Sequence, residues 1–425
     1  MANIAIGSVP IHGHVTPLLA IAAGLVERGH RVRFLTGARF AAAVVKTGSD
    51  FAALPPEADF DDRELNQGVD KDRPPGIRGL RYDVREVFLR PARAQYDALR
   101  HLVAQPTDAV IVDPTFAGAI MLTSQPRSER PPVVIAGVLP LTLSSAAVPP
   151  FGLGLTPLPN PVLNQVRNAG LRVLVERAIF RPVQQEADAM FRDVHARPLR
   201  TFILNWVSTA DAIAQLSVPV FEYPRPDAPV PLHFVGPLTS PSALPTPPWW
   251  SDLDRPAPVV LVTQGTIANR DFSELVRPTV EALADQDVLL VLTTGGPPVE
   301  ELGPLPLNVR AAEYLPYDKL FPLLDVMVTN GGYGGVHYAL AHSVPLVVAG
   351  GGEDKPEVAA RVAWSGAGVN LRTGRPKPEA IRRAVREVLD DSRYRTAANA
   401  AAKQIASAPG VEGLTNLITD LARHP

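Results

Sequence analysis

Residues 3–36, NIAIGSVPIHGHVTPLLAIAAGLVERGHRVRFLT, decide the fold class of this chain. The apolar residues at the start of this stretch and the run at its end predict two strands. Between them, apolar residues recur at helical spacing up to Gly29, and we expect Thr16 to cap this helix and Pro17 to be its first residue. A strand, a helix and a strand in so short a span predict a right-handed parallel crossover.

The same pattern continues along the chain. Further short apolar runs predict buried parallel strands, since strands covered on both faces show little alternation. These runs lie at residues 109–112, 133–136, 259–263, 288–293, 326–329 and 346–349. Helical segments separate them in the second half, so we predict an α/β protein with a Rossmann-like, doubly wound parallel sheet in each half.

A proline-rich stretch divides the two halves. VGPLTSPSALPTPPWW, residues 235–250, contains five prolines and no periodic pattern, which is typical of a semi-rigid linker. We expect a first domain at residues 1–235, a linker at 236–250 and a second domain at 251–408. A C-terminal helix at 409–425 is expected to pack back on the first domain.

Composition narrows the function. The 425 residues, 46% hydrophobic and 20% charged, can bury a core in each half. The net charge of -2 lacks the basic excess that binds nucleic acid or an anionic membrane, so neither is expected as a partner. The absence of cysteine excludes disulfides, thiolate metal sites and a cysteine nucleophile. Without a secretory signal or an apolar run of membrane-spanning length, we expect a cytoplasmic protein.

Two histidines and an aspartate lie at predicted strand ends. His12 and His14 follow the first strand, and Asp113 directly follows the strand at 109–112. Ligands bind beyond the carboxyl ends of strands in such sheets. An imidazole there suits a general base, and a carboxylate bonded to its far nitrogen fixes its tautomer. The structural alternatives are histidines bonded to loop backbone and an aspartate that forms a turn before Pro114.

Two glycine-containing turns in the second half also follow predicted strands. Gly265 and Thr266 come after the strand at 259–263, and NGGYGG begins at Asn330 and leads into a helix. Glycines let a backbone approach a phosphate closely, and a helix N-terminus attracts its charge. Two such loops suit a diphosphate, although glycine turns also serve simply for tight packing. The glycines of the second turn are Gly331, Gly332, Gly334 and Gly335.

An aromatic residue and a charged turn complete the candidate site. Tyr314 is placed to stack on a nucleobase, with a core aromatic as the alternative. Glu353, Asp354 and Lys355 follow the strand at 346–349, where polar side chains bind sugar hydroxyls; solvated loop charge is the alternative. Irregular stretches at 60–81 and 139–168 are predicted to be the walls of an acceptor pocket.

These motifs resemble one enzyme family. The segments GHVTPLLAIAAGLVERGHRV, residues 13–32, and EYLPYDKLFPLLDVMVTNGGYGGVHYALAHSVPLVVAGGGEDKPEVAARV, residues 313–362, are similar to segments of nucleotide-sugar-dependent glycosyltransferases with the glycosyltransferase B (GT-B) fold. That family includes plant secondary-metabolite enzymes and bacterial macrolide and antibiotic enzymes. The resemblance spans nearly the whole chain. It implies two Rossmann-like domains facing across a cleft, the first binding an acceptor and the second a nucleotide sugar.

The resemblance also implies residue roles. His14, followed three residues later by Pro17, corresponds to the family's catalytic base, and Asp113 corresponds to its aspartate partner. The implied reaction is inverting: an acceptor hydroxyl loses its proton to the base and displaces the diphosphate from the anomeric carbon. A UDP- or dTDP-hexose is the implied co-substrate, with no cofactor and no metal, and a small hydrophobic molecule is the implied acceptor. The residues expected to contact that acceptor are His12, Leu139 and Phe151.

Four positions depart from the family pattern. Asn330 stands where the family has a histidine, and Tyr314 where it has a base-stacking tryptophan. Tyr338 replaces a glutamate that binds the donor ribose, and Lys355 replaces a glutamine that follows an acidic residue, here Asp354. All four concern donor recognition rather than the type of reaction.

Three other functions fit parts of the pattern. A glycine turn followed about twenty residues later by Asp354 imitates the dinucleotide fingerprint of oxidoreductases, but the full G-x-G-x-x-G spacing is missing. A sugar-nucleotide epimerase of the same fold would not need an apolar acceptor pocket. A non-catalytic relative that binds only the donor would not need both His14 and Asp113. The sequence does not distinguish a monomer from a homodimer.

Overall fold

Two all-parallel sheets form the scaffold, one in each half of the chain. The computed structural model describes residues 1–63, 73–74, 76–238, 244–266, 269 and 271–423. The strands of the first sheet are Asn3–Gly7 (β1), Arg31–Thr36 (β2), Asp50–Ala53 (β3), Ala109–Val112 (β4), Val133–Gly137 (β5), Ala212–Gln215 (β6) and Leu232–Phe234 (β7). Those of the second are Val259–Thr263 (β8), Leu289–Thr293 (β9), Val309–Ala312 (β10), Val326–Thr329 (β11), Leu346–Val348 (β12) and Gly368–Asn370 (β13).

Helices cover both faces of each sheet. In the first half they are His12–Glu27 (α1), Ala41–Lys46 (α2), Ile77–Asp83 (α3), Ala92–Val103 (α4), Ala119–Thr123 (α5), Pro161–Leu174 (α6) and Arg181–His195 (α7). In the second they are Val276–Leu283 (α8), Tyr317–Leu320 (α9), Tyr333–Ala341 (α10), Lys355–Trp364 (α11), Pro378–Asp390 (α12), Ser392–Ala406 (α13) and Gly410–Arg423 (α14). Segments of π-helix, Val84–Leu89 and Val175–Ile179, continue α3 and α6.

The strand order creates a crevice at the same point of both sheets. The first sheet runs β3-β2-β1-β4-β5-β6-β7 and the second β10-β9-β8-β11-β12-β13. Within the described residues, β1 and β8 therefore hold equivalent central places, beside β4 and β11 respectively. At such a reversal of strand order the connections leave to opposite faces, and ligands bind beyond the carboxyl ends. The predicted α/β fold of two doubly wound parallel sheets is confirmed.

The central strands are buried on both faces. Ile4 and Ile6 of β1 are fully buried and share a core with Leu18 and Leu25 of α1, whereas Ala5 joins the core of the opposite face. All four residues of β4 are also fully buried. Double-sided burial explains why these strands are short continuous apolar runs in the sequence. None of the helices in the described part of the chain is long and apolar enough to cross a membrane.

The last helix, α14, packs against α1 of the first domain. Leu414 and Ile418 of α14 are buried in the same core as α1. A side chain at Gly24 of α1 would place its Cβ only 2.9 Å from a methyl group of Val411, so the two helices approach closely. Residues 239–243 of the predicted linker and 424–425 of the predicted terminal helix lie outside the described residues. The boundaries at 235, 250 and 408 stay predictions.

The start of α1 differs from our expectation. The helix begins at His12 rather than after Thr16, and Pro17 lies inside it. The His12 amide donates to the Asp62 carboxylate at 2.7 Å, so a residue far away in sequence satisfies the helix N-terminus. A local capping pattern did not reveal this partner.

The stretch at 139–168 is also more regular than predicted. Its last part belongs to α6, whose first turn is capped by the Asn160 side chain accepting from the Leu163 amide at 3.1 Å. Buried Asn164 and Asn168 face inward and bond backbone carbonyls of residues 147 and 146, whereas Val162 is 69% exposed. The helix is therefore positioned by buried amides, which a search for apolar periodicity misses.

Candidate active site

A cleft of about 770 Å³ opens between the carboxyl ends of the two sheets. Loops after β1, β4, β8 and β11 contribute to its walls, so both halves of the chain line one space. Asp113 and Gly331 are buried directly behind the wall. The other predicted site residues line it: His12, His14, Leu139, Phe151, Gly265, Thr266, Tyr314, Asn330, Gly332, Gly334, Gly335, Asp354 and Lys355.

His14 and Asp113 form a pair at the first crevice. His14 lies in the first turn of α1, and its Nδ1 is 3.2 Å from Oδ1 of Asp113, which follows β4. The aspartate is fully buried, whereas the imidazole is 16% exposed. With Nδ1 donating to the carboxylate, the tautomer leaves Nε2 to accept a proton. The pair has the arrangement of a general base with an orienting partner.

The Asp113 carboxylate is held by several donors. It accepts from the Val9 amide at 3.0 Å, the Thr115 amide at 2.8 Å and the Thr115 hydroxyl. Burial disfavours its charge, but His14 and the Thr115 bonds outweigh burial and lower the pKa of Asp113 below its ordinary value. The carboxylate is therefore charged at neutral pH and cannot turn away from the imidazole.

Thr115 was not among the predicted site residues. Its Oγ1 lies 3.1 Å from Nδ1 of His14 and also donates to Asp113, so it braces both members of the pair. The signal was available, because a threonine two residues after an aspartate commonly bonds to it in a turn.

His12 lies in a different environment from His14. Its Nε2 is 3.4 Å from the Thr16 hydroxyl, on the next turn of the helix. Burial and the nearby Arg39 guanidinium lower the pKa of His12, so the neutral ring faces the cleft at physiological pH. This ring is suited to contact a substrate hydroxyl or an apolar surface.

The second crevice offers backbone amides to an anion. Gly332 precedes α10, and Gly334 lies in its first turn. A Cβ at Gly332 or Gly334 would meet no atom within 4 Å, so the cleft side of this backbone is open to a ligand. The first amides of a helix carry partial positive charge, which suits a diphosphate. Asn330 instead donates its side-chain amide to the carbonyl of Gln264 at 2.5 Å, and thereby joins the two glycine turns.

Aromatic residues line the outer part of this half of the cleft. Tyr314 is 51% exposed, which excludes the core-aromatic alternative, and its hydroxyl donates to the Gly295 carbonyl at 3.0 Å. That bond fixes an exposed ring beside the cleft. Tyr338 lies nearby, stacked on His342 with ring centroids 5.1 Å apart. At Tyr338 the surface therefore offers an aromatic ring where the family pattern has a carboxylate.

The charged turn after β12 faces the first sheet. Lys355 pairs with Glu353, whose backbone φ of 56° is uncommon for a side-chain-bearing residue. Burial raises the pKa of Asp354 to about 6, while Lys355 opposes the shift and Glu353 adds to it. Arg73 reaches this turn from the first half, since a Cβ at Gly352 would lie 3.6 Å from its guanidinium.

The wall of the cleft that the first half of the chain forms beside His14 is mostly apolar. Phe88 lies beside the imidazole, with its ring centroid 6.5 Å from that of His14. Leu80 also lines this wall, which supports the expectation that part of the stretch at 60–81 borders the cleft, although residues 64–72 and 75 lie outside the described part of the chain. Phe88 and Trp206 were not predicted, because apolar residues on a wall cannot be told from core residues by pattern alone. Across the described residues, no cluster of three or more histidine, aspartate or glutamate side chains is arranged to hold a metal ion.

Comparisons with known proteins agree with this architecture. Residues 277–421 match the family model described as erythromycin biosynthesis protein CIII-like, C-terminal domain. The chain is 41% identical over 435 residues to 4'-demethylrebeccamycin synthase from Lentzea aerocolonigenes, covering 99% of each protein. It is 34% identical over 441 residues to UDP-glycosyltransferase 2 from Phaeomoniella chlamydospora, covering 99% of this chain and 96% of the relative.

Solved structures share the fold. The calicheamicin glycosyltransferase superposes with a TM-score of 0.70 at 23% identity, covering 100% of this chain and 99% of that one. The kitacinnamycin glycosyltransferase superposes with a TM-score of 0.72, also at 23% identity, and the match covers 99% of this chain and 98% of that one. Because the relatives are glycosyltransferases, the oxidoreductase, epimerase and non-catalytic alternatives are set aside. The chain belongs to the UDP-glycosyltransferase-like family of GT-B glycosyltransferases.

Proposed function

We propose that this glycosyltransferase moves a hexose from a UDP- or dTDP-sugar to a hydroxyl group of a small hydrophobic acceptor, with inversion at the anomeric carbon. His14 acts as the base, and Asp113 orients it. The observation that carries the proposal is the placement of an imidazole bonded to a buried carboxylate in the same cleft as the open N-terminus of α10.

His14 activates the acceptor. Asp113 accepts a hydrogen bond from Nδ1–H, which stays on the ring, and Nε2 removes the proton from the acceptor hydroxyl as its oxygen attacks. The imidazolium that forms is stabilised by the charge of Asp113, which is buried where a low dielectric strengthens the interaction. The neighbouring Phe88 limits water beside the ring.

The second domain stabilises the leaving group. Negative charge grows on the diphosphate as the bond to the sugar breaks, and the amides at Gly332 and Gly334 receive it. With Asn330 in place of the family's histidine, the backbone and the helix dipole supply this stabilisation. Because the base comes from the first half of the chain and the glycine turn that receives the diphosphate from the second, the acceptor attacks from the face opposite to the leaving group. Attack from that side inverts the configuration.

Aromatic surfaces suggest the nucleotide class. A pyrimidine ring stacks on Tyr314, and uracil and thymine present the same hydrogen-bonding edge apart from one methyl group. The similarity to a protein named UDP-glycosyltransferase supports uridine diphosphate. Asp354 and Lys355, after β12, bind hydroxyls of the sugar.

The acceptor is an apolar molecule larger than a simple sugar. Leu139 and Phe151 of the first half line the cleft, together with Trp206 and Phe88. A relative 41% identical over nearly the full length is named for making 4'-demethylrebeccamycin, a natural product. We therefore place the acceptor among hydrophobic natural products or xenobiotics.

Three linked measurements test the whole proposal. Calorimetric titrations with UDP and dTDP identify the nucleotide, and mass spectrometry then detects hexose added to a panel of phenolic and polyketide alcohols and of precursors of 4'-demethylrebeccamycin. Nuclear magnetic resonance of the product compares its anomeric configuration with that of the donor. We expect opposite configurations, and a product that keeps the donor's configuration would refute the single displacement.

A further inference from the structure

The carboxylate of Glu357 joins the two sides of the cleft. Glu357 lies in the first turn of α11, three residues after Asp354, and is buried. Its Oε1 accepts from the amides of Gly152 and Gly154, at 2.9 and 2.8 Å. These glycines belong to residues 138–160, the segment between β5 and α6, which we call the β5–α6 loop.

The loop's backbone is shaped for this contact. Gly152 and Gly154 have φ values of 95° and 60°, which side-chain-bearing residues rarely adopt. A Cβ at Gly154 would lie 3.0 Å from the Cβ of Pro356, so the loop packs directly on the first turn of α11. Phe151, which lines the cleft, immediately precedes this attachment. The contact therefore determines where one acceptor-facing wall lies relative to the donor-facing turn.

The charge of Glu357 is balanced within a buried network. Arg361 donates to its Oε2 at 2.8 Å and to Glu222 at 2.8 and 3.2 Å. Burial disfavours the charge of Glu222, but Arg361 and Arg225 outweigh it and lower the pKa of that carboxyl. Glu222 in turn accepts from the Leu141 amide at 3.1 Å, near the start of the same loop. Two points of the loop are thus fastened to one set of paired charges.

We propose that Glu357 is a positioning residue that holds the β5–α6 loop, and with it the Phe151 wall, against the turn facing the donor sugar. The inference rests on the proposed function in one respect, namely that the cleft beside Phe151 takes the acceptor. Loss of the carboxylate frees two loop amides and weakens acceptor binding. The donor site keeps its own residues, so the nucleotide still binds.

Glu357→Ala, Glu357→Gln and a matched control, Ser217→Ala, test this role. Ser217 also forms a buried hydrogen bond between the two halves, to His337 at 2.7 Å, but this bond is not to the β5–α6 loop. Gln retains an oxygen that can accept from both glycine amides, and Glu222 still pairs with Arg361. Its NH2 group then faces Arg361 in place of Oε2, so the Gln variant keeps the side-chain volume and the loop contact while it removes the charge.

Hydrogen–deuterium exchange on the full chain without ligand is the first measurement. We expect the Gly152 and Gly154 amides to exchange at least about tenfold faster in Glu357→Ala, less so in Glu357→Gln, and within about twofold of wild type in Ser217→Ala. Unchanged exchange at these amides in Glu357→Ala overturns the proposal. Because no turnover is needed, this result is independent of whether His14 is the base.

Kinetics with UDP-glucose and kaempferol, a rigid phenolic probe, provide the second measurement. We expect Glu357→Ala to raise the acceptor KM about tenfold and to change the donor KM less than about twofold, with partial rescue by Gln. Donor and acceptor KM values rising together, as in a general loosening of the domains, would contradict a positioning role. If wild type does not use kaempferol, the exchange measurement alone decides the proposal.

Discussion

Replacing Asp113 by asparagine tests the catalytic pair directly. Oδ1 faces His14 and Thr115, and Oδ2 accepts from the Val9 amide. Asparagine has nearly the same shape but lacks the charge. In either orientation of its amide, the NH2 group faces a hydrogen-bond donor whose bond the carboxylate accepts in the wild type. The substitution therefore removes the charge opposite the imidazolium and disturbs the histidine tautomer, without emptying the site.

The size of the effect follows from the geometry. Two unit charges 3.2 Å apart, the separation of Nδ1 and Oδ1, attract by about 5 kcal/mol at an effective dielectric constant of about 20. The asparagine dipole retains part of that stabilisation, so we expect a loss of about 3 to 5 kcal/mol in the transition state. This corresponds to a kcat about 100-fold to several thousand-fold lower.

Steady-state rates give kcat, and calorimetry with UDP gives the donor affinity. We expect the donor affinity to stay within about threefold of wild type, because Asp113 lies on the opposite wall from the glycine turn at 330–335. Asp108→Asn is the matched control, since Asp108 is exposed at the other end of β4 and bonds only the Asn3 region among the described contacts. A kcat within tenfold of wild type in Asp113→Asn, or a large loss of UDP binding, would refute the assigned role.

The remaining predictions concern the base and the donor site. His14→Ala should lower kcat by at least about 100-fold with UDP affinity retained; near-full activity in initial-rate assays would remove His14 from the mechanism. Tyr314→Ala should weaken UDP binding by roughly 1 to 3 kcal/mol by calorimetry, whereas Tyr314→Phe, which keeps the ring and loses only the bond to Gly295, should lose less. Asp354, with its pKa raised to about 6, is charged above that pH and neutral below it, so donor KM should rise as pH falls through about 6. Asp354→Asn should show a raised donor KM without this pH dependence; an unchanged pH profile in that variant would assign the titration to another group.

Short apolar runs predicted most of the central strands of both sheets. The predicted strands at 109–112, 259–263 and 326–329 coincide with β4, β8 and β11. These strands are central and buried on both faces, so burial itself dictates their composition. β3, β7 and β13, at sheet edges, and the interior β6, whose run is only AIAQ, carry weaker patterns and were not predicted.

The sequence by itself determined the fold class, the family resemblance and the strand-end positions of His14, Asp113 and the glycine turns. These are local properties, since each depends on a short run of residues and the chain direction of a strand. Only the tertiary structure decided which strand ends meet. The reversal of strand order places β1 beside β4 although about one hundred residues separate them, and so brings His14 within 3.2 Å of Asp113. The Asp62 cap of α1, the Thr115 brace and the Glu357 attachment depend likewise on contacts between distant segments, which no local pattern encodes.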